Sequence, residues 1–157
     1  MDVFNLTTYS EDETKEIAEK LASFLNRGDV LTLEGDLGAG KTTFTKGIAK
    51  GLNIRENISS PTFTIIKEYI DGKLPLYHMD VYRLEGSDED IGFEEYFYGK
   101  GITVVEWAQF IKDYLPNEVL SITMHYGENQ SRVIEFVPYG PYYRTIVENL
   151  FTNVKGL

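Results

Sequence analysis

The sequence contains no cysteine in its 157 residues. That excludes disulfides, thiolate metal ligands and a cysteine nucleophile, and it fits a cytosolic protein. Long apolar runs are missing as well. No stretch approaches the about 18 residues that a membrane-spanning helix needs. The start, Met1-Asp2-Val3-Phe4-Asn5, lacks both the basic and the apolar region of a secretory signal. A cytoplasmic location without membrane association is therefore expected. Bases are scarce, 15 Lys and Arg against 25 Asp and Glu, for a net charge of −10. Phosphate affinity in nucleic-acid binders comes mainly from Lys and Arg, so this chain is unsuited to hold nucleic acid alone, and any RNA would be carried by a partner. Histidine is limited to His78 and His125. Neither has a second His or Cys at metal-ligand spacing, and both read as structural or surface residues. The single Trp, Trp107, reads as a packing residue. No internal repeat or low-complexity segment stands out.

What is present is 42% apolar residues, enough for a proper core in one domain spanning 1–157. The stretch that organises it is Gly35-Asp36-Leu37-Gly38-Ala39-Gly40-Lys41-Thr42. A glycine, four residues, then Gly-Lys-Ser/Thr is the P-loop pattern. Its glycines let consecutive N–H groups turn inward and form a nest for phosphate oxygens. Lys41 would reach the β- and γ-phosphates, and the Thr42 hydroxyl would ligate Mg²⁺. Val30 to Glu34 reads as the preceding strand. Thr42 to Leu52 reads as the following helix, with Phe44, Ile48 and Leu52 on one stripe. The helix start adds partial positive charge to the anion site.

Met1 to Thr7 suits a short edge strand. Ser10 and Glu13 form a capping box for a helix whose apolar face is Ile17, Ala18, Leu21, Ala22 and Leu25. Gly28 is expected to end that helix as a left-handed cap. After a polar loop, Phe63 to Ile70 reads as a strand, Asp71-Gly72 as a hairpin turn, and Leu74 to Tyr82 as the return strand, with Pro75 weakening its start. Leu84 to Tyr98 has a helical apolar side in Ile91, Phe93, Tyr96 and Phe97. Ile102 to Val105 suits a buried parallel strand. Trp107 to Leu115 reads as a short helix stopped by Pro116. Val119 to Tyr126 and Arg132 to Val137 flank a turn as an antiparallel hairpin. Pro141 opens a last helix with Ile146, Leu150, Phe151 and Val154 inward.

A P-loop site needs an acid to hold Mg²⁺ or its waters, usually at the end of a neighbouring strand. Asp80 and Glu106 each end such a strand, spacing alone leaves the choice between them open, and either could be merely a solvated strand-end acid. Ser59-Ser60-Pro61-Thr62 reads either as a loop that senses the γ-phosphate or as an ordinary proline turn. Neither an Asn-Lys-x-Asp nor an Asp-x-x-Gly sequence is present, which favours ATP over GTP.

Four motifs together resemble a known family. Residues 35–43 read GDLGAGKTT, 60–64 SPTFT, 77–84 YHMDVYRL and 105–107 VEW. In this order they are similar to the bacterial TsaE family, also called YjeE or YdiB, over nearly the whole chain. The resemblance implies an α/β, P-loop NTPase-like three-layer fold with a mixed central sheet flanked by helices. It implies an ATP- and Mg²⁺-dependent ATPase, slow alone and stimulated by partners. Its role would be in making threonylcarbamoyladenosine next to the anticodon of tRNAs that read codons starting with A. The implied partners are TsaD, which carries the transfer chemistry, and TsaB, with tRNA reached only through the complex. By motif, Thr42 and Glu106 would ligate Mg²⁺ and Asp80 would be the catalytic or switch acid beside Lys41. Gly38, Ala39, Gly40, Lys41, Thr42 and Thr43 would hold phosphates, with Thr62, Glu11 and Arg132 around the nucleotide. The family commonly continues with proline and then an acid or glutamine after the tryptophan, where this chain has Ala108 and Gln109.

Two other readings of a P-loop are a small-molecule kinase and a module that uses ATP as a structural ligand. A kinase usually carries a basic lid, and no Arg-rich segment of that kind is present. Turnover of ATP without an acceptor would exclude the structural module and weaken the kinase.

Overall fold

The computed structural model describes residues 2–36, 38–59, 65–87 and 89–154. Thr62, with the rest of the 60–64 motif, lies outside the described residues. One mixed sheet crosses the molecule in the order β1-β7-β6-β2-β5-β4-β3. Its strands are β1 (Phe4–Thr8), β2 (Val30–Gly35), β3 (Ile66–Tyr69), β4 (Leu76–Asp80), β5 (Ile102–Glu106), β6 (Leu120–Tyr126) and β7 (Arg132–Pro138). The central four, β6, β2, β5 and β4, run parallel, while β1, β7 and β3 pair antiparallel at the flanks.

Alternation along the central strands sends side chains to two cores. Leu31, Leu33, Val104, Leu76 and Ile122 join helices α1 (Glu11–Ala22), α2 (Lys41–Gly51) and α4 (Pro141–Asn153) on one face. Val30, Met79 and Val105 join the short α3 (Phe93–Phe97) and two stretches of 3-10 turns on the other. The result is the three-layer α/β arrangement expected from the motifs.

α1 and α2 lie unusually close. A Cβ at Gly47 would stand 2.5 Å from the Lys15 carbonyl oxygen and 2.6 Å from Ala18 Cβ, and one at Gly51 would stand 2.6 Å from Ala22 Cβ. Ile17, Ala18 and Leu21 of α1 and Phe44, Ile48 and Ala49 of α2 complete the seam, all buried. At the start of α1 the Ser10 hydroxyl accepts from Glu13 N at 3.1 Å, while the Glu13 carboxylate accepts from Tyr9 N rather than from Ser10 N. The capping box thus closes one residue upstream of its usual form.

Several elements differ from the sequence expectations. α1 ends at Ala22. Gly28 does take a left-handed φ of +85°, but it sits in the turn into β2, where its N–H donates to Gly101 O at 2.8 Å. The Asp71-Gly72 turn belongs to a longer connection, because β3 ends at Tyr69 and β4 begins at Leu76. There Asp71 accepts from Arg55 N, and Gly72 packs against Leu52 O, so the turn residues serve tertiary contacts. The helix expected from Leu84 to Tyr98 is present only as α3. Asp90 caps its entrance by accepting from Gly92 N and Phe93 N, and the described acidic residues before it are exposed. Trp107 to Leu115 forms 3-10 turns over Ala108–Tyr114, broken at Ile111. Bases that look scattered in sequence are partly gathered: Lys15, Lys46, Lys50 and Arg55 border one hollow beside α2.

No helix among the described residues is long and apolar enough to cross a membrane.

Candidate functional site

The parallel centre of the sheet ends in one place. β2 runs into the glycine loop and then α2, β5 ends at Glu106, and β4 ends at Asp80, which is the register partner of Glu106. Strand–loop–helix geometry needs a sharp reversal here. Gly40 supplies it with a left-handed φ of +110° as the residue that starts α2. Gly35 supplies the close approach to β6, since a Cβ there would fall 2.2 Å from Met124 O. The loop is further tied by Asp36 N donating to Met124 O at 3.2 Å and Ala39 N donating to Asp36 O at 3.0 Å. α2 is longer than two turns, and its exposed first N–H groups and partial positive charge face the loop. Thr42 and Thr43 are half-buried in its first turn.

Lys41 points back across the loop. Its Nζ donates to Gly35 O at 3.4 Å and lies 3.8 Å from Glu106 Oε1. It also lies 5.8 Å from the centre of the Trp107 ring. Glu106 is buried, with 7% exposure, and its second oxygen, Oε2, is 2.8 Å from His78 Nε2. A carboxylate only accepts, so Nε2 carries the donated proton. Asp80 is half-buried and accepts from Tyr82 N at 3.1 Å, which folds the chain sharply after β4. Trp107 has a left-handed φ of +63°. Its ring stacks on Phe110 at 5.7 Å and meets the edge of Tyr82 at 4.9 Å.

Two hollows open at the glycine loop. The larger, about 490 Å³, is lined by Gly38, Ala39, Gly40 and Thr43 of the loop and α2. Tyr9, Ser10, Glu11 and Thr14 line it from the α1 end, and Tyr126, Gly127, Gln130 and Arg132 from the β6–β7 hairpin. The Arg132 guanidinium sits 4.6 Å over the Tyr126 ring and donates to Gln130 O at 2.9 Å. The smaller, about 200 Å³, is lined by Leu33, Glu34, Gly35, Lys41, Trp107 and Gln109.

The structure therefore brings together Glu11, Gly38, Ala39, Gly40, Thr43 and Arg132 around one cavity, and Lys41 with Glu106 beside it. Thr42 stands at the helix start and Asp80 at the adjoining strand end. Thr62 lies outside the described residues. Sequence reading missed His78, Tyr9 and Tyr126. Only the period-2 spacing of His78 and Asp80 on one strand face hinted that the histidine shares the acid's side of the sheet. Trp107, read as a packing residue, stands at the rim with 37% exposure.

A mixed sheet whose parallel centre feeds a glycine loop and helix defines an α/β protein of the P-loop NTPase-like class. The model of a family described as "Threonylcarbamoyl adenosine biosynthesis protein TsaE" matches residues 8–134. A tRNA threonylcarbamoyladenosine biosynthesis protein TsaE from Bacillus subtilis is 56% identical over 143 residues, covering 91% of this chain and 90% of that protein. One from Nostoc sp. is 42% identical, covering 82% of each. The crystal structure of Bacillus subtilis YdiB superposes with a TM-score of 0.85 at 48% identity, over 97% of this chain and 96% of that one. The chain belongs to the TsaE family, whose role is in tRNA threonylcarbamoyladenosine biosynthesis.

Proposed function

We propose that this chain is the ATP-binding and ATP-hydrolysing subunit of a tRNA-modifying assembly and acts with TsaD and TsaB. The observation that carries the reading is the pairing of Lys41 with Glu106 at the mouth of the glycine loop, 3.8 Å apart, with Lys41 lining the smaller hollow and the loop glycines the larger. In this reading the backbone N–H groups of Gly38 to Thr43 hold the phosphates, and Lys41 leaves Glu106 for the β- and γ-phosphates. The base and ribose occupy the larger cavity between Glu11 and Arg132. Asp80 orients the attacking water or signals hydrolysis.

The donor set suits Mg²⁺. Glu106 and the Thr42 hydroxyl are hard oxygen ligands, and Mg²⁺ at such sites is held by one or two protein groups together with substrate phosphates. Among the described residues no group of three or more His, Asp and Glu side chains converges on one point, so the nucleotide would complete the shell. Held by Glu106 and the Thr42 hydroxyl, Mg²⁺ would supply Lewis-acid stabilisation of charge developing on the phosphates.

In this reading the modification chemistry belongs to a partner, TsaD. The chain's net charge of −10 opposes direct tRNA capture, and tRNA is reached through the complex. The test is ATPase rate and modified tRNA with and without TsaD and TsaB. Slow turnover alone, faster turnover with partners and no modification by the isolated chain are expected. Repeated modification by the isolated chain, or an ATPase rate indifferent to the partners, would refute it.

A further inference from the structure

We propose that His78 is a positioning residue for Glu106. It holds one carboxylate oxygen so that the other faces the mouth of the loop, and it thereby sets how tightly the nucleotide-bound site takes a divalent cation. The proposal rests on the reading of Glu106 as a Mg²⁺ ligand.

His78 lies on β4 with no exposure to solvent. Its register partner on β5 is Val104, two residues before Glu106, so both side chains project from the same face of the parallel pair. From there Nε2 reaches Glu106 Oε2 at 2.8 Å, and the other oxygen, Oε1, is left to Lys41 at 3.8 Å. The two oxygens are thus assigned to different tasks, one to an inner donor and one to the side where Lys41 enters.

Packing alone gives no reason for a histidine here. Its second ring nitrogen, Nδ1, is buried without a hydrogen-bond partner among the described residues. An unmet buried polar atom is a cost, and an aliphatic side chain would fill the same strand position without it. What the imidazole adds is the single bond to Glu106. That bond fixes the carboxylate's rotation, which a side chain with three torsions does not hold by itself. Partners that orient a ligating group commonly govern metal affinity in this way.

Three variants separate the idea from simple packing. His78→Met fills the site with no donor, His78→Gln carries an amide N–H to nearly the place of Nε2, and His78→Asn carries one that falls short. Mn²⁺ binding in the presence of a non-hydrolysable ATP analogue is measured by paramagnetic resonance, and analogue affinity in EDTA by calorimetry. His78→Met and His78→Asn are expected to weaken Mn²⁺ binding by about tenfold or more. Analogue affinity in EDTA should stay unchanged, and His78→Gln should restore Mn²⁺ binding. In a Glu106→Gln background the same substitutions should have no further effect on Mn²⁺. Wild-type Mn²⁺ affinity in His78→Met overturns the proposal, and so does a His78→Gln as weak as His78→Met. Parallel loss of metal-free analogue affinity would mean general loosening and overturns it too. Should the Met and Asn variants fail to fold, His78→Gln decides by itself: folded protein with weakened Mn²⁺ binding sinks the proposal, and wild-type Mn²⁺ binding supports it. If Glu106→Gln weakens Mn²⁺ binding and His78→Met does not, only this inference fails. If the wild-type protein takes no nucleotide, or Glu106→Gln leaves Mn²⁺ binding intact, the reading of the site falls and this inference with it.

Discussion

The Lys41 ammonium is shared between Glu106, 3.8 Å from one carboxylate oxygen, and Trp107, whose ring centre is 5.8 Å away. Neighbours in sequence thus hold the same cation, one by charge and one by its ring face. A lysine that in the proposed reading would serve phosphate is held by the acid that would serve the metal.

Replacing that lysine should abolish tight nucleotide binding. A charge-assisted hydrogen bond contributes about 1.5–3 kcal/mol, so Lys41→Ala is expected to weaken ATP by at least about tenfold. Calorimetry on the folded variant checks it, and unchanged affinity would remove Lys41 from the site.

Glu106→Gln separates metal from nucleotide. Gln keeps the shape and still accepts from His78, but it no longer attracts Lys41 or a cation. ATP affinity in EDTA should be unchanged or tighter, because a competitor for Lys41 is gone. The gain in affinity on adding Mg²⁺, and Mg²⁺-dependent hydrolysis, should largely disappear. An intact Mg²⁺ response would shift the ligand role to Asp80.

Trp107 is the single tryptophan, so its emission reports one place. Drawing Lys41 off its ring changes the field on the indole, and ATP with Mg²⁺ should alter intensity or wavelength. The response should vanish in Lys41→Ala. A flat titration of protein shown by calorimetry to bind ATP would contradict the placement.

Asp29 gives a pH signature far from the loop. Burial pushes its carboxyl above the ordinary 3.8, and bonds from Asn26 N and the Tyr142 hydroxyl only partly offset this. The fold therefore favours the protonated form. That contribution is fully present below 3.8 and is lost as pH rises through the raised folded value. Asp29→Asn removes the titration. The melting temperature of the variant minus that of the wild type should rise from acid to neutral pH, and a difference constant with pH would refute the linkage.

Much of the fold was legible because its signals are local. β5 is a bare apolar run, and a run buried on both faces needs no alternation. The loop carries its glycines at the required spacing, and Pro141 does open α4 at its first turn. The shortfalls come from tertiary contacts. Leu84 to Tyr98 has helical periodicity, and Leu84, Phe93 and Phe97 reach the core with Ile91 and Tyr96 packed against it, yet the stretch is α-helical only where the Phe93 and Phe97 rings stack at 5.7 Å. The described acidic residues between Leu84 and Ile91 are exposed, and burial gives them no reason to take up a helix. Glu106 and Asp80 were both legible as strand-end acids, and spacing left the choice between them open. His78 was invisible as a site residue, because its partner lies 28 residues on and is reached only through strand register.

The glycines at 47 and 51 have a reach beyond the seam they fill. α1 begins at Glu11 and α2 at Lys41, and both starting ends stand at the same cavity. Two rods in near-backbone contact behave as the arms of a clamp, in which thickness at the seam sets the gap at the jaws. Close-packed interiors pass such displacements on rather than absorb them. The width of the opening between Glu11 and Gly40 is therefore gauged by two missing methyl groups that never touch it.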